Sequence, residues 1–149
     1  MDRTQLLQRI EERWRAFGDS FAGLTDAALQ EPGVTGDWSV VDIIAHVTTW
    51  EEETLKALTL LMEGARPPQY GGVDTFNARE SARKRALSLA VVRRQATETH
   101  QRLLAFVQAA PERHFATETR FRHRLRLDTY SHYPEHTRAI LAWRQARGL

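Results

Sequence analysis

The chain has no cysteine, and among its 21 basic residues only Lys56 and Lys84 are lysine. The first absence excludes disulfides, thiolate metal sites and a cysteine nucleophile. It agrees with a cytoplasmic location. So does the opening stretch MDRTQLLQRIEERW, which carries acidic residues and lacks the apolar core of a signal peptide. The scarcity of lysine shifts the positive charge onto arginine. Arginine suits bidentate anion recognition, although the same bias also arises from genomic composition. No apolar run approaches the roughly 18 to 20 residues that a bilayer crossing needs, so no membrane partner is expected. Nor is there a marked excess of either charge. The 21 basic and 19 acidic residues leave a formal +2, which neither demands nor excludes a nucleic-acid partner.

What is present fits a folded protein. With 149 residues, 42% hydrophobic and 27% charged, the chain is expected to form one domain over 1–149 with its own core. Apolar residues Leu6, Leu7, Ile10, Trp14, Phe17, Phe21 and Leu24 recur at steps of three and four, which predicts a first amphipathic helix. A Pro/Gly-rich connection follows. In WSVVDIIAHVTTWEEETLKALTLLMEG, Ser39 and Asp42 form a capping-box pattern. Val40, Ile43, Ile44, Val47, Trp50, Leu58 and Leu61 supply the buried stripe, and Gly64 with Pro67-Pro68 stops the helix. A third helical segment is predicted from about Phe76 to Val107, its polar start NARESARKR lying over solvent or near a pocket mouth.

In RFRHRLRLD the arginines 120, 122, 124 and 126 alternate with Phe121, His123, Leu125 and Leu127. A period of two predicts a short extended segment with one basic and one apolar face. A last helix starts at about Asp128 or Ser131 and ends at Arg147, with Pro134 marking its true start or bending it. The expected fold is therefore all-α, a four-helix bundle with a short extended segment before the final helix.

Within that bundle DTYSHYPEHTRAI places His132 and His136 one helical turn apart, on one face. Two imidazoles alone are a weak metal signal. His46 is the third candidate, from IIAHVTTW. It reads either as a buried imidazole hydrogen-bonded to a neighbour or as a ligand facing the last helix. Neutral imidazoles suit zinc, nickel, cobalt or ferrous iron, and three of them with an open position suit catalytic rather than structural zinc. His100 reads as a surface residue, His114 carries no pattern, and His123 shares the apolar face of the alternating segment.

Taken together, the WSVVDIIAHVTTWEEE start of the second helix and the late HYPEH resemble the DinB-like four-helix-bundle superfamily. VDTFNARE and DTYSHYPEHTRAILAW are most similar to its ClbS/DfsB branch. The resemblance covers nearly the whole chain. It implies a divalent metal, zinc or nickel, on His46, His132 and His136, and a homodimer through bundle faces. It also implies either a hydrolase or a transferase using a low-molecular-weight thiol against a small electrophile. This chain reads HTRAI where many relatives continue as HRGQI. A metal on three neutral imidazoles would activate bound water or thiol, and a carboxylate would then serve as proton shuttle. Glu53, two turns beyond His46, is the candidate catalytic residue, with a solvated position as its alternative. Glu51 and Glu52 read as solvated, and Glu135 points about 100 degrees away from His136 on an ideal helix. Trp50 and Tyr133 are candidate pocket walls. Arg120, Arg122, Arg124 and Arg126 are candidate anion contacts if they cross the pocket mouth. The competing reading is a bundle that binds a small molecule or, with weaker support, nucleic acid without turnover.

Overall fold

Helix starts in this chain are written into it by capping residues. A computed structural model describes all 149 residues and contains seven α-helices. α1 (Arg3–Ser20) opens on a capping box of Asp2 and Gln5, and α2 (Asp26–Leu29) on Thr25. α3 (Val40–Met62) opens on the Ser39–Asp42 box. α4 (Val73–Lys84) follows Gly72 without a side-chain cap, whereas α5 (Leu89–Ala109) is capped by Ser88. A 3-10 turn at Glu112–His114 leads to α6 (Arg120–Asp128), capped by Thr119, and then to α7 (Tyr133–Ala146). Each such side chain accepts a hydrogen bond from an amide that the helix cannot satisfy internally. There is no β-sheet, only an isolated bridge between Thr35 and Trp38.

α1, α3, α5 and the α6–α7 pair make the bundle. α3 packs on α5 and α6, while α1 packs on α7 and α5, and α4 lies against α3. Their apolar stripes meet in one core that includes Leu6, Ile10, Phe17, Ile43, Val47, Leu58, Leu103, Leu125 and Ile140. Burying each such side chain contributes about 1.5–3 kcal/mol before entropy is set against it. The all-helical bundle expected from the sequence is thus present.

Two expectations are corrected. The segment predicted as extended is α6, a nine-residue helix. Phe121, Leu125 and Asp128 are its buried positions, at steps of four and three, while His123 and Leu127 are exposed. The four arginines therefore fan around a helix and do not share a face. The third predicted helix is two helices. Residues 85–88 leave helical geometry, and the Ser88 hydroxyl accepts from the Val91 amide to start α5 afresh. Pro134 occupies the first turn of α7, where a missing amide costs nothing, so it marks a helix start.

Candidate metal centre

The register of α3 follows from its cap. With Val40, Ile43, Ile44 and Val47 turned into the core, His46 falls on the flank of the stripe and is half-buried. His132 is the last residue of the non-helical link between α6 and α7, and His136 lies one turn into α7. The three rings converge. His132 Nε2 lies 3.2 Å from His46 Nε2 and 2.9 Å from His136 Nε2. One ring nitrogen from each residue falls within 4.8 Å of the others. Ligand nitrogens about 2.05 Å from a common cation sit about 3.3 Å apart in tetrahedral and about 2.9 Å apart in octahedral geometry. Both measured separations fall close to those ligand edges.

The protonation chemistry fits as well. Burial, followed by the neighbouring His132, His136 and Lys84, pulls His46 down to about 2. Burial brings His132 to about 4, opposed by the backbone carbonyl of Asp128. Even so, no well-formed hydrogen bond reaches its Nδ1, which is buried and unpartnered. His136 is held at about 4 by burial and by His132, against a weaker opposite pull from Glu135. All three imidazoles are therefore neutral near pH 7, the form that donates a lone pair. An all-nitrogen set of this kind suits zinc or nickel rather than magnesium or calcium.

The triad lines a cavity of about 530 Å³. Trp38, Trp50 and Tyr70 supply aromatic wall, and Val73 and Leu127 add apolar surface. Trp50 is fixed by its indole N–H, which donates to Asn77 Oδ1 at 2.8 Å. Arg124 enters the cavity edge beside Trp50 and Tyr70, its guanidinium carbon 5.9 and 5.8 Å from their ring centres. Its Nε donates to Asp128 Oδ2 at 2.7 Å and a terminal nitrogen donates to the Tyr70 hydroxyl at 2.9 Å. Its charge is thus largely answered within the protein.

The predicted site residues divide accordingly. His46, His132, His136, Trp50 and Arg124 come together around one cavity. Glu53 does not line it: the side chain is largely buried and pairs with Lys56 at 3.0 Å. Tyr133 is no pocket wall but a core residue, its hydroxyl donating to Glu51 Oε2 at 2.8 Å. Arg122 and Arg126 pair with Glu118, both at 3.4 Å, and Arg120 lies with His123 along a separate cleft. His114 stacks on Phe121.

Glu51 and His100, read as solvated and as surface, are both buried. His100 Nδ1 meets Glu51 Oε2 at 2.7 Å, its Nε2 meets Glu11 Oε1 at 3.0 Å, and the ring stacks on Trp14 at 3.9 Å. Glu135, read from the sequence as pointing away from His136, lines the cavity, as does Asp128, which was assigned no site role from the sequence. Only Asp128 carried a usable signal: it continues the helical spacing Phe121, Leu125, Asp128.

The family model described as the DinB superfamily matches residues 9–143. No curated protein matches the chain. Among solved structures, the colibactin self-resistance protein ClbS in complex with a dsDNA is similar over 97% of this chain and 96% of its own. That likeness has a TM-score of 0.82 and 12% identity. The sibling lethal factor precursor DfsB is similar over 99% and 97%, with a TM-score of 0.83 and 15% identity. At such identities the two likenesses speak for the fold.

Proposed function

The chain belongs to the DinB superfamily, and on that premise we propose that it holds a divalent zinc or nickel ion on His46, His132 and His136 and binds a small molecule beside it. One observation carries the reading. Three neutral imidazole nitrogens from α3, the link before α7 and α7 itself converge beside a cavity of about 530 Å³ walled by aromatic rings. A bundle core is a usual place for such a centre, because facing helices can each contribute a ligand.

The walls favour a ligand with a flat apolar body and one polar head able to reach the metal. Trp50 and Tyr70 would contact the body, Trp50 held in place by Asn77. Arg124 is committed to Asp128 and Tyr70, so its part is to stiffen the wall and orient a polar edge rather than to supply an uncompensated charge. Bound metal would supply the positive charge that draws an anionic head and lowers the pKa of water or a thiol. Turnover of an electrophile by a hydrolase or thiol-transferase route is the step beyond this binding function. Glu135, at the cavity edge, is the carboxylate placed to move a proton there. Glu53 is not.

Nucleic-acid binding is the second reading, favoured by the dsDNA held by ClbS on the same fold. Against it, three of the four α6 arginines are already paired with Asp128 or Glu118.

Titration of the stripped protein with zinc and with nickel tests the leading proposal. One equivalent should bind in each case, and His136→Ala should abolish it. Metal-dependent binding of an aromatic carboxylate or hydroxamate probe should follow, and its consumption in excess would add turnover. Absence of stoichiometric metal binding would overturn the reading. Salt-sensitive binding of a duplex by protein that takes up no metal would favour the second.

A further inference from the structure

Tyr133 and Asp128 bracket the link that carries His132, and both are tied to α3. The Thr54 hydroxyl donates to Asp128 Oδ2 at 2.5 Å, and the Tyr133 hydroxyl donates to Glu51 Oε2 at 2.8 Å. Thr54 and Glu51 lie three residues apart on α3, each 0% exposed. From this geometry we propose that Glu51 and Thr54 are positioning residues for the candidate metal centre, holding both ends of the 128–133 link so that His132 meets His46. The proposal rests on the metal reading above and extends it to residues that touch no ligand.

Metal-bound imidazoles generally donate their second ring N–H to a carboxylate, carbonyl or water, and that outer bond sets the ring's orientation. His132 has the Asp128 backbone carbonyl beside it, but no well-formed hydrogen bond reaches its buried Nδ1. It also lies outside regular helix, at the start of α7, with no side-chain cap. Neither a well-formed hydrogen bond at Nδ1 nor helical register therefore fixes this ring. The link has its own turn hydrogen bonds, from the Ser131 amide to the Arg126 carbonyl and from the His132 and Tyr133 amides to the Thr129 carbonyl. α3 anchors it at both ends through the side chains of Asp128 and Tyr133. α3 also carries His46, so one rigid helix sets the distance between the first ligand and the second.

Glu51 is built for this task. Its Oε2 takes both Tyr133 and His100, and His100 is in turn held by Glu11 from α1 and stacked on Trp14. α3, α5 and α7 thus meet at one carboxylate, and α1 joins them through His100. The carboxylate gives Tyr133 a stronger acceptor than a neutral amide would.

The test compares zinc affinity of the wild type, Tyr133→Phe, Thr54→Val and Glu51→Gln, with Ser88→Ala, remote from the link, as a control for general destabilisation. Tyr133→Phe and Thr54→Val should each weaken zinc binding about 10-fold or more while remaining folded. Ser88→Ala should leave affinity unchanged. A folded Tyr133→Phe that binds zinc as tightly as a zinc-binding wild type would overturn the clamp alone. If the wild type binds no metal, the preceding reading falls, and the clamp is judged by nitrogen-15 NMR of the histidine rings. His132 should then give one sharp set of signals in the wild type and exchange-broadened ones in Tyr133→Phe. Unchanged signals would overturn it.

Discussion

Replacing His100 by alanine probes the buried ion network directly. Both of its ring nitrogens face carboxylates, Glu51 at 2.7 Å and Glu11 at 3.0 Å, which requires an imidazolium or a protonated carboxylate. Burial alone would lower His100, but the Glu51 and Glu11 carboxylates hold it above its ordinary value. Burial raises Glu51, against the opposing pull of His100 and Tyr133. The variant leaves Glu51, 0% exposed, with Tyr133 as its one hydrogen-bond donor.

Removing one partner of a buried pair costs about 3–5 kcal/mol. With 149 residues the unfolding entropy is about 0.3 kcal/mol per kelvin, so Tm should fall by about 10–16 °C near pH 7. The pH dependence carries a sign. His100 is raised above 6.5 and Glu51 above 4.5 in the folded state, so each contributes stability that is present below those values and lost as pH rises through the folded ones. Both terms have one sign, so the contribution of this pair to the wild type should shrink as pH rises from 5 through neutrality. Calorimetry of both proteins in the presence of a chelator would measure that trend and the deficit of the variant near pH 7. A loss below about 1 kcal/mol in the variant near pH 7 would refute a buried ion pair here.

Further outcomes are expected elsewhere. His46→Ala, His132→Ala and His136→Ala should each weaken zinc binding by more than the about 10- to 100-fold typical of outer partners, read by chelator competition. A His132 variant with wild-type affinity would remove that residue from the ligand set. Ser39→Ala should cost about 0.5–2 kcal/mol in denaturant melts, through loss of the α3 capping box, with metal affinity unaltered. Arg124→Met leaves Asp128 with Thr54 alone and should cost up to about 3 kcal/mol in the same melts. Trp50→Ala should retain zinc but lose affinity for an aromatic probe in calorimetric titration.

Much of this architecture was legible in local pattern. The Ser39–Asp42 box and the stripe after it fixed where α3 starts and which side of it is buried, and from there the late histidine pair had a facing partner. α6 was misread because its arginines impose a period of two over nine residues. The rarer apolar positions, Phe121 and Leu125 followed by Asp128, were already spaced for a helix. Glu51 and His100 were misread because charge was taken as a sign of exposure. Their spacing argued otherwise: Glu51 continues Val40, Ile44, Val47 and is followed by Thr54 and Leu58, while His100 lies between Ala96 and Leu103. All of these are buried. No local signal could reveal that one charged residue would be answered by another 49 positions away.

Lys84 pairs with Glu52 at 2.8 Å and is almost wholly enclosed, whereas the Lys56 side chain is 65% exposed on the outer side of α3. Of the two lysines, amine-directed dyes and cross-linkers will therefore find Lys56. With no thiol in the chain, a single introduced cysteine would be an equally unambiguous attachment point. Two orthogonal spectroscopic reporters can thus be mounted on this bundle without first deleting anything from it.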